Sequence, residues 1–84
     1  MNKLLSLKKK ILYRANYRGT KEMDILLTKF VEKYINTFDE DQLNELNKFL
    51  DFEDEIIYNY YQYGKNSSKI DSNKISSLFL KFKL

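Results

Sequence analysis

Apolar residues return every three to four positions along most of this chain. They fall into five blocks, and each block reads as a short helix with one buried face. The first runs from Lys3 to Tyr17. Leu4, Leu7, Ile11 and Leu12 share a face, while Lys8, Lys9, Lys10 and Arg14 lie off it. Gly19 stops this helix, since glycine accepts the left-handed backbone that ends helices. The second block starts after Thr20, a good N-cap, with Glu22 and Asp24 in the first turn, where the helix dipole favours anions. Its wide stripe of Met23, Leu26, Leu27, Phe30, Val31 and Tyr34 ends near Asn36.

The third block has the clearest start. Asp39 is the N-cap and Gln42, three residues on, completes a capping box; Phe38 and Leu43 form the accompanying hydrophobic staple. Leu43, Leu46 and Leu50 then line one face. Asp51 or Glu53 opens the fourth helix, Ile56, Ile57, Tyr60 and Tyr61 bury it, and Gly64 closes it. Lys65 to Ser68 read as a polar joint. The fifth helix begins near Asp71 or Ser72, and Ile75, Leu78, Phe79 and Phe82 give it a clean amphipathic repeat. The pattern predicts an all-α fold: one domain over residues 1–84, a bundle of about five short helices.

Composition sharpens this picture. The 84 residues include no proline and two glycines, too few for the tight turns of an all-β fold. A hydrophobic fraction of 43% and an aromatic fraction of 15% can build a core without staples. There is neither Cys nor His. Disulfides, Cys or His metal sites and imidazole-based triads are therefore excluded. The remaining carboxylates, lysines, tyrosines and hydroxyls form no catalytic set, so no catalytic residue and no metal site is assigned and the chain is not read as an enzyme.

Charge is unevenly laid out. Residues 1–21 carry seven basic and no acidic side chains, residues 22–63 three basic and eleven acidic, and residues 64–84 five basic and one acidic. These blocks of +7, −8 and +4 sum to the net +3. Two readings follow: the basic ends pair with the acidic middle, or a basic face is kept for a partner. No apolar run reaches the roughly 18 residues of a membrane span. The first residues lack a secretory pattern and run straight into the first helix. They lead to the expectation of a bacterial cytoplasm rather than a mitochondrial matrix.

Three features stand outside the core. One is Arg18-Gly19-Thr20-Lys21-Glu22-Met23-Asp24. There a glycine permits close backbone approach, flanked by a guanidinium fork and a carboxylate. The plain alternative is a helix stop beside a solvated Arg18–Glu22 pair worth less than about 1 kcal/mol. Another is the cluster Tyr58, Tyr60, Tyr61 and Tyr63, which cannot all be buried on one helix; two are expected in the core and two as cover. The last is the basic face of the first helix, with Tyr13 and Tyr17 among Lys and Arg. It could lie on nucleic-acid phosphate or on an anionic membrane surface. Glu22 and Asp24, however, sit where a recognition helix would present donors, against a helix-turn-helix reading.

At these residues the sequence resembles a known family. Ile11-Leu12-Tyr13-Arg14 followed by Arg18-Gly19-Thr20-Lys21-Glu22-Met23-Asp24 is similar to the Arg-Gly-x-x-Glu-Leu-Asp core of the SdhE family, also called succinate dehydrogenase assembly factor 2. Asp39-Glu40-Asp41-Gln42-Leu43 and Tyr58-Asn59-Tyr60-Tyr61 resemble its acidic and aromatic-Asn-Trp-Leu segments, with Tyr60 in place of Trp. Asn16-Tyr17-Arg18 lacks the family's extra basic residues before the glycine. The likeness covers residues 8–64. It implies a non-enzymatic assembly factor, and the net +3 charge with a burial fraction of roughly 64% leads to the expectation of a monomer. Such a factor binds the flavoprotein subunit of succinate dehydrogenase or fumarate reductase and promotes covalent attachment of FAD to it, holding no cofactor of its own. It further implies that Arg18, Gly19 and Glu22 form the partner-binding surface, with Lys21 and Asp24 beside them. Arg14, Tyr17, Asn59 and Tyr60 would form a secondary interface. The competing reading is a small basic helical protein that binds nucleic acid or regulates another protein.

Overall fold

Each apolar block folds as a helix. In the computed structural model, which describes residues 3–64 and 70–84, these are α1 (Lys3–Asn16), α2 (Lys21–Tyr34), α3 (Glu40–Phe49), α4 (Asp54–Tyr63) and α5 (Lys74–Lys81). The expected joint at Lys65 to Ser68 lies outside the described residues. The described residues form an all-α bundle with no strand. The radius of gyration is 12.1 Å, close to the roughly 12 Å of a compact chain of this length.

The helix ends follow local chemistry. Thr20 caps α2 by accepting from the Met23 amide at 3.3 Å. The α3 capping box is complete, with the Gln42 amide donating to Asp39 Oδ1 at 2.9 Å and the Asp39 amide donating to Gln42 Oε1 at 3.0 Å. Gly64, at φ +82°, closes α4. Two ends differ from expectation. α2 stops at Tyr34, before Asn36, because the Thr37 amide and hydroxyl both donate to the Tyr34 carbonyl, at 2.9 and 2.8 Å. α5 begins at Lys74, because Asn73 and Ser76 form a capping box that sets the start three residues later than Asp71 or two later than Ser72.

The core is one cluster drawn from all five helices. α1 packs on α2 and α3, and α5 packs on α3 and α4. Phe79 of α5 joins the layers. Its ring lies 5.0 Å from Phe30 of α2, 5.1 Å from Phe49 of α3 and 5.0 Å from Tyr61 of α4. Edge-on or tilted aromatic pairs of this kind each add about 0.5–1.5 kcal/mol beyond burial. The Tyr61 hydroxyl donates to the Phe82 carbonyl at 2.7 Å, fastening the end of α5 to α4. The tyrosine cluster divides as expected: Tyr60 is buried, Tyr61 half-buried, and Tyr58 and Tyr63 exposed.

Candidate functional site

The Arg18-Gly19-Thr20 turn joins α1 to α2 and carries the motif singled out above. Gly19 has φ +116°, a region that L side chains rarely adopt, and a Cβ there would meet nothing within 4 Å. Backbone conformation, not crowding, therefore requires glycine. The space above it is open to an approaching surface. Gly19, Thr20, Lys21 and Glu22 are all exposed.

Arg18 does something other than expected. Its side chain is only 10% exposed and points into the protein. Nε donates to Asp54 Oδ1 at 2.8 Å, Nη1 to the Leu50 carbonyl at 2.7 Å and Nη2 to the Phe52 carbonyl at 2.7 Å. Its own amide donates to Asp24 Oδ1 at 2.6 Å. Neither a partner-facing fork nor an Arg18–Glu22 pair is present. The guanidinium instead stitches the α1–α2 turn to the α3–α4 joint. Helix C-termini leave carbonyls without amide partners, and cations are favoured there. Arg14, one turn earlier, serves the same helix end: Nη1 donates to the Asn47 carbonyl at 2.8 Å and to Asn47 Oδ1 at 2.6 Å, and Nη2 pairs with Asp51 at 2.6 Å.

The other expected residues divide accordingly. Glu22 and Lys21 are exposed beside Gly19, while Asp24 is half-buried and committed to the Arg18 amide. Tyr17 is 70% exposed. Asn59 is half-buried. Tyr60 is completely buried, so it belongs to the core and not to a secondary interface. The apolar face of α4 turns it inward with Ile57. Arg14 and Arg18 likewise move from docking surface to frame.

Sequence reasoning missed the far wall of the site. Thr20, Glu22 and Met23 of the motif face Asp54, Glu55 and Tyr58 of α4 across an open groove of about 270 Å³. Met23 and the Tyr58 ring make its apolar lining, and carboxylates make its rim. Part of that acidity serves the helices themselves, since Glu22, Asp54 and Glu55 sit in first turns. No signal in the linear spacing marked the pairing, since Arg18 and Asp54 lie 36 residues apart. Among the described residues no group of three or more carboxylates is arranged to hold a metal ion, and no helix is long and apolar enough to cross a membrane.

Comparison with known proteins gives a consistent set of likenesses. Residues 9–83 match a family model described as the flavinator of succinate dehydrogenase. The chain is similar to the succinate dehydrogenase assembly factor 2, mitochondrial, of Scheffersomyces stipitis. That match is 41% identical over 49 residues, covering 58% of this chain and 33% of that protein. The protein of the same name from Debaryomyces hansenii is 37% identical over 49 residues (58% and 34%). The one from Drosophila virilis is 40% identical over 47 residues (56% and 30%). The chain thus spans about a third of the length of these relatives. No solved structure matches. The relatives' names also correct the expectation of a bacterial cytoplasm, for each is a mitochondrial protein. That expectation rested on the look of the first residues, which says little about compartment.

Proposed function

This chain belongs to the family of succinate dehydrogenase flavinators, and from that premise we propose that it binds the flavoprotein subunit of succinate dehydrogenase as a monomer and promotes covalent attachment of FAD to it. The setting proposed is the mitochondrial one of the named relatives. The observation that carries the reading is the Gly19–Glu22 turn. It is exposed, open above the glycine, and held in one conformation by the four hydrogen bonds of Arg18.

The chain contributes no reacting atom in this account. FAD and the histidine that it joins belong to the partner. Attachment requires that histidine to lie near the 8α-methyl carbon of the flavin in a reactive alignment, and positioning of this kind lowers barriers substantially. A rigid turn with open space above Gly19 lets a partner main chain approach closely. Glu22 then accepts charge-assisted hydrogen bonds from partner donors. Binding selects the partner conformation competent for attachment, a shift of population and not a chemical step. The framework role of Arg18 fits this scheme, because a docking turn selects one partner conformation only if it holds its own.

Co-expression with the flavoprotein subunit, in cells lacking their own factor, tests the proposal. Covalent flavin is read by in-gel fluorescence after denaturation. Wild type is expected to yield fluorescent flavoprotein, and Glu22→Ala to lose most of the signal at unchanged helicity. Equal flavin with and without the chain defeats the reading.

A further inference from the structure

The outer face of α1 is unused by the fold. Lys9, Lys10 and Tyr13, with Tyr17 just past the helix end, stand on the side away from Ile11 and Ala15, which are fully buried. Tyr13 and Tyr17 are 65% and 70% exposed, with ring centroids 4.6 Å apart. Each ring shields part of the other, and most of the pair still faces water. Tyrosine is enriched in protein interfaces, where it combines apolar area with a hydroxyl that can donate.

The charges on this face are equally unaccounted for. The ion pairs among the described residues are Arg14–Asp51 and Arg18–Asp54. Pairing between the basic start and the acidic middle therefore explains two arginines and leaves Lys9 and Lys10 in solvent. Nor does the helix dipole account for them. Lys9 and Lys10 sit mid-helix, outside the first and last turns where the helix dipole acts. The stripe also leads directly into the proposed docking turn, since Tyr17 precedes Arg18 and Gly19 in the chain.

We propose that the Lys9–Lys10–Tyr13–Tyr17 face of α1 docks an acidic surface of the flavoprotein subunit, extending the contact made at Gly19–Glu22. This rests on the function proposed above. Lysine ammonium groups meet partner carboxylates there, and the tyrosine pair fills the apolar ground between them. Charge complementarity chooses the occupant. A protein surface can change sign where the stripe reaches Glu22, whereas a phosphate backbone would meet that carboxylate with like charge. From Lys9 to Tyr17 this face runs roughly 12 Å along the helix direction. Joined to the turn, it approaches the span of a specific interface better than the turn alone.

The test uses the full chain carrying Tyr13→Gln with Tyr17→Gln, or Lys9→Gln with Lys10→Gln. Glutamine is a good helix former at exposed positions. Helicity and melting are followed by circular dichroism. Affinity for the flavoprotein subunit is measured by titration calorimetry, and affinity for a short DNA duplex in parallel. Both double variants are expected to melt like wild type and to bind the flavoprotein about tenfold more weakly, the lysine pair mainly through slower association. Unchanged flavoprotein affinity in both overturns the proposal. So does a wild-type chain that prefers the duplex and loses that preference in the variants. Covalent flavin with Glu22→Ala separates the two readings. If Glu22→Ala abolishes attachment while the α1 variants bind normally, only the α1 face falls. If wild type does not bind the flavoprotein, both fall.

Discussion

Replacing Arg18 by alanine removes three side-chain hydrogen bonds at once, and the structure sets their weight. The pair with Asp54 is well shielded, with side chains 10% and 26% exposed. Bonds involving a charged group contribute about 1.5–3 kcal/mol each. The carbonyls of Leu50 and Phe52 lose their guanidinium donors, and Asp54 keeps its charge without its partner. Water entering the truncated site recovers part of this. The net cost is about 3–5 kcal/mol, the range seen when one member of a shielded pair is removed. For a chain of this size, stabilities of roughly 4–13 kcal/mol are usual. Arg18→Ala should therefore lower the melting temperature by at least about 12 °C. Arg14→Ala is the control. Its acidic partner Asp51 is 69% exposed, so that ion pair contributes under about 1 kcal/mol, and the two Asn47 bonds, made by a guanidinium 26% exposed, lie at the low end of the same range, about 1.5 kcal/mol each before water recovers part of it. Urea melts followed by circular dichroism measure both. An Arg18→Ala chain within about 1 kcal/mol of wild type, or one no weaker than Arg14→Ala, would refute the framework role.

Three further outcomes follow from the same geometry. Gly19→Ala should cost about 1–3 kcal/mol, read in the same urea melts, because φ +116° strains any L side chain. Tyr60→Phe should leave stability unchanged or raise it. The buried Tyr60 hydroxyl has no hydrogen-bond partner among the described residues, and an unsatisfied buried polar atom costs about 1–3 kcal/mol; differential scanning calorimetry checks the sign. Phe79→Ala should cost about 3–5 kcal/mol and loosen α5, since it removes the ring that touches α2, α3 and α4. Amide hydrogen exchange along α5 would register this as lost protection.

The sequence made the helices legible because their signals are local. Asp39 and Gln42 lie three residues apart, and their reciprocal bonds can be read from that spacing alone. The start of α5 was harder, since Asp71, Ser72 and Asn73 are three consecutive cap residues. Only the Ser76 side chain, reaching back to Asn73, decides among them. The site was less legible than the fold. Arg18 stands in an obvious motif, but its partner Asp54 is 36 residues away. Linear spacing does not say which helix lies opposite. The same limit hid the groove wall of Asp54, Glu55 and Tyr58, and left Tyr60 a candidate for both core and surface. What remained readable of the site was the part made within one turn: a glycine that needs its backbone freedom, a threonine cap, and Glu22 exposed in the first turn of α2.

The central claim is that this chain speeds covalent flavin attachment to another protein. It is tested most directly with purified components. Flavoprotein subunit lacking covalent flavin is mixed with FAD, with and without the chain, and in-gel flavin fluorescence is followed after denaturation. A rate that rises with the concentration of the chain, saturates near one chain per flavoprotein, and collapses with Glu22→Ala is the predicted result. The same rate with the chain present or absent would contradict the account.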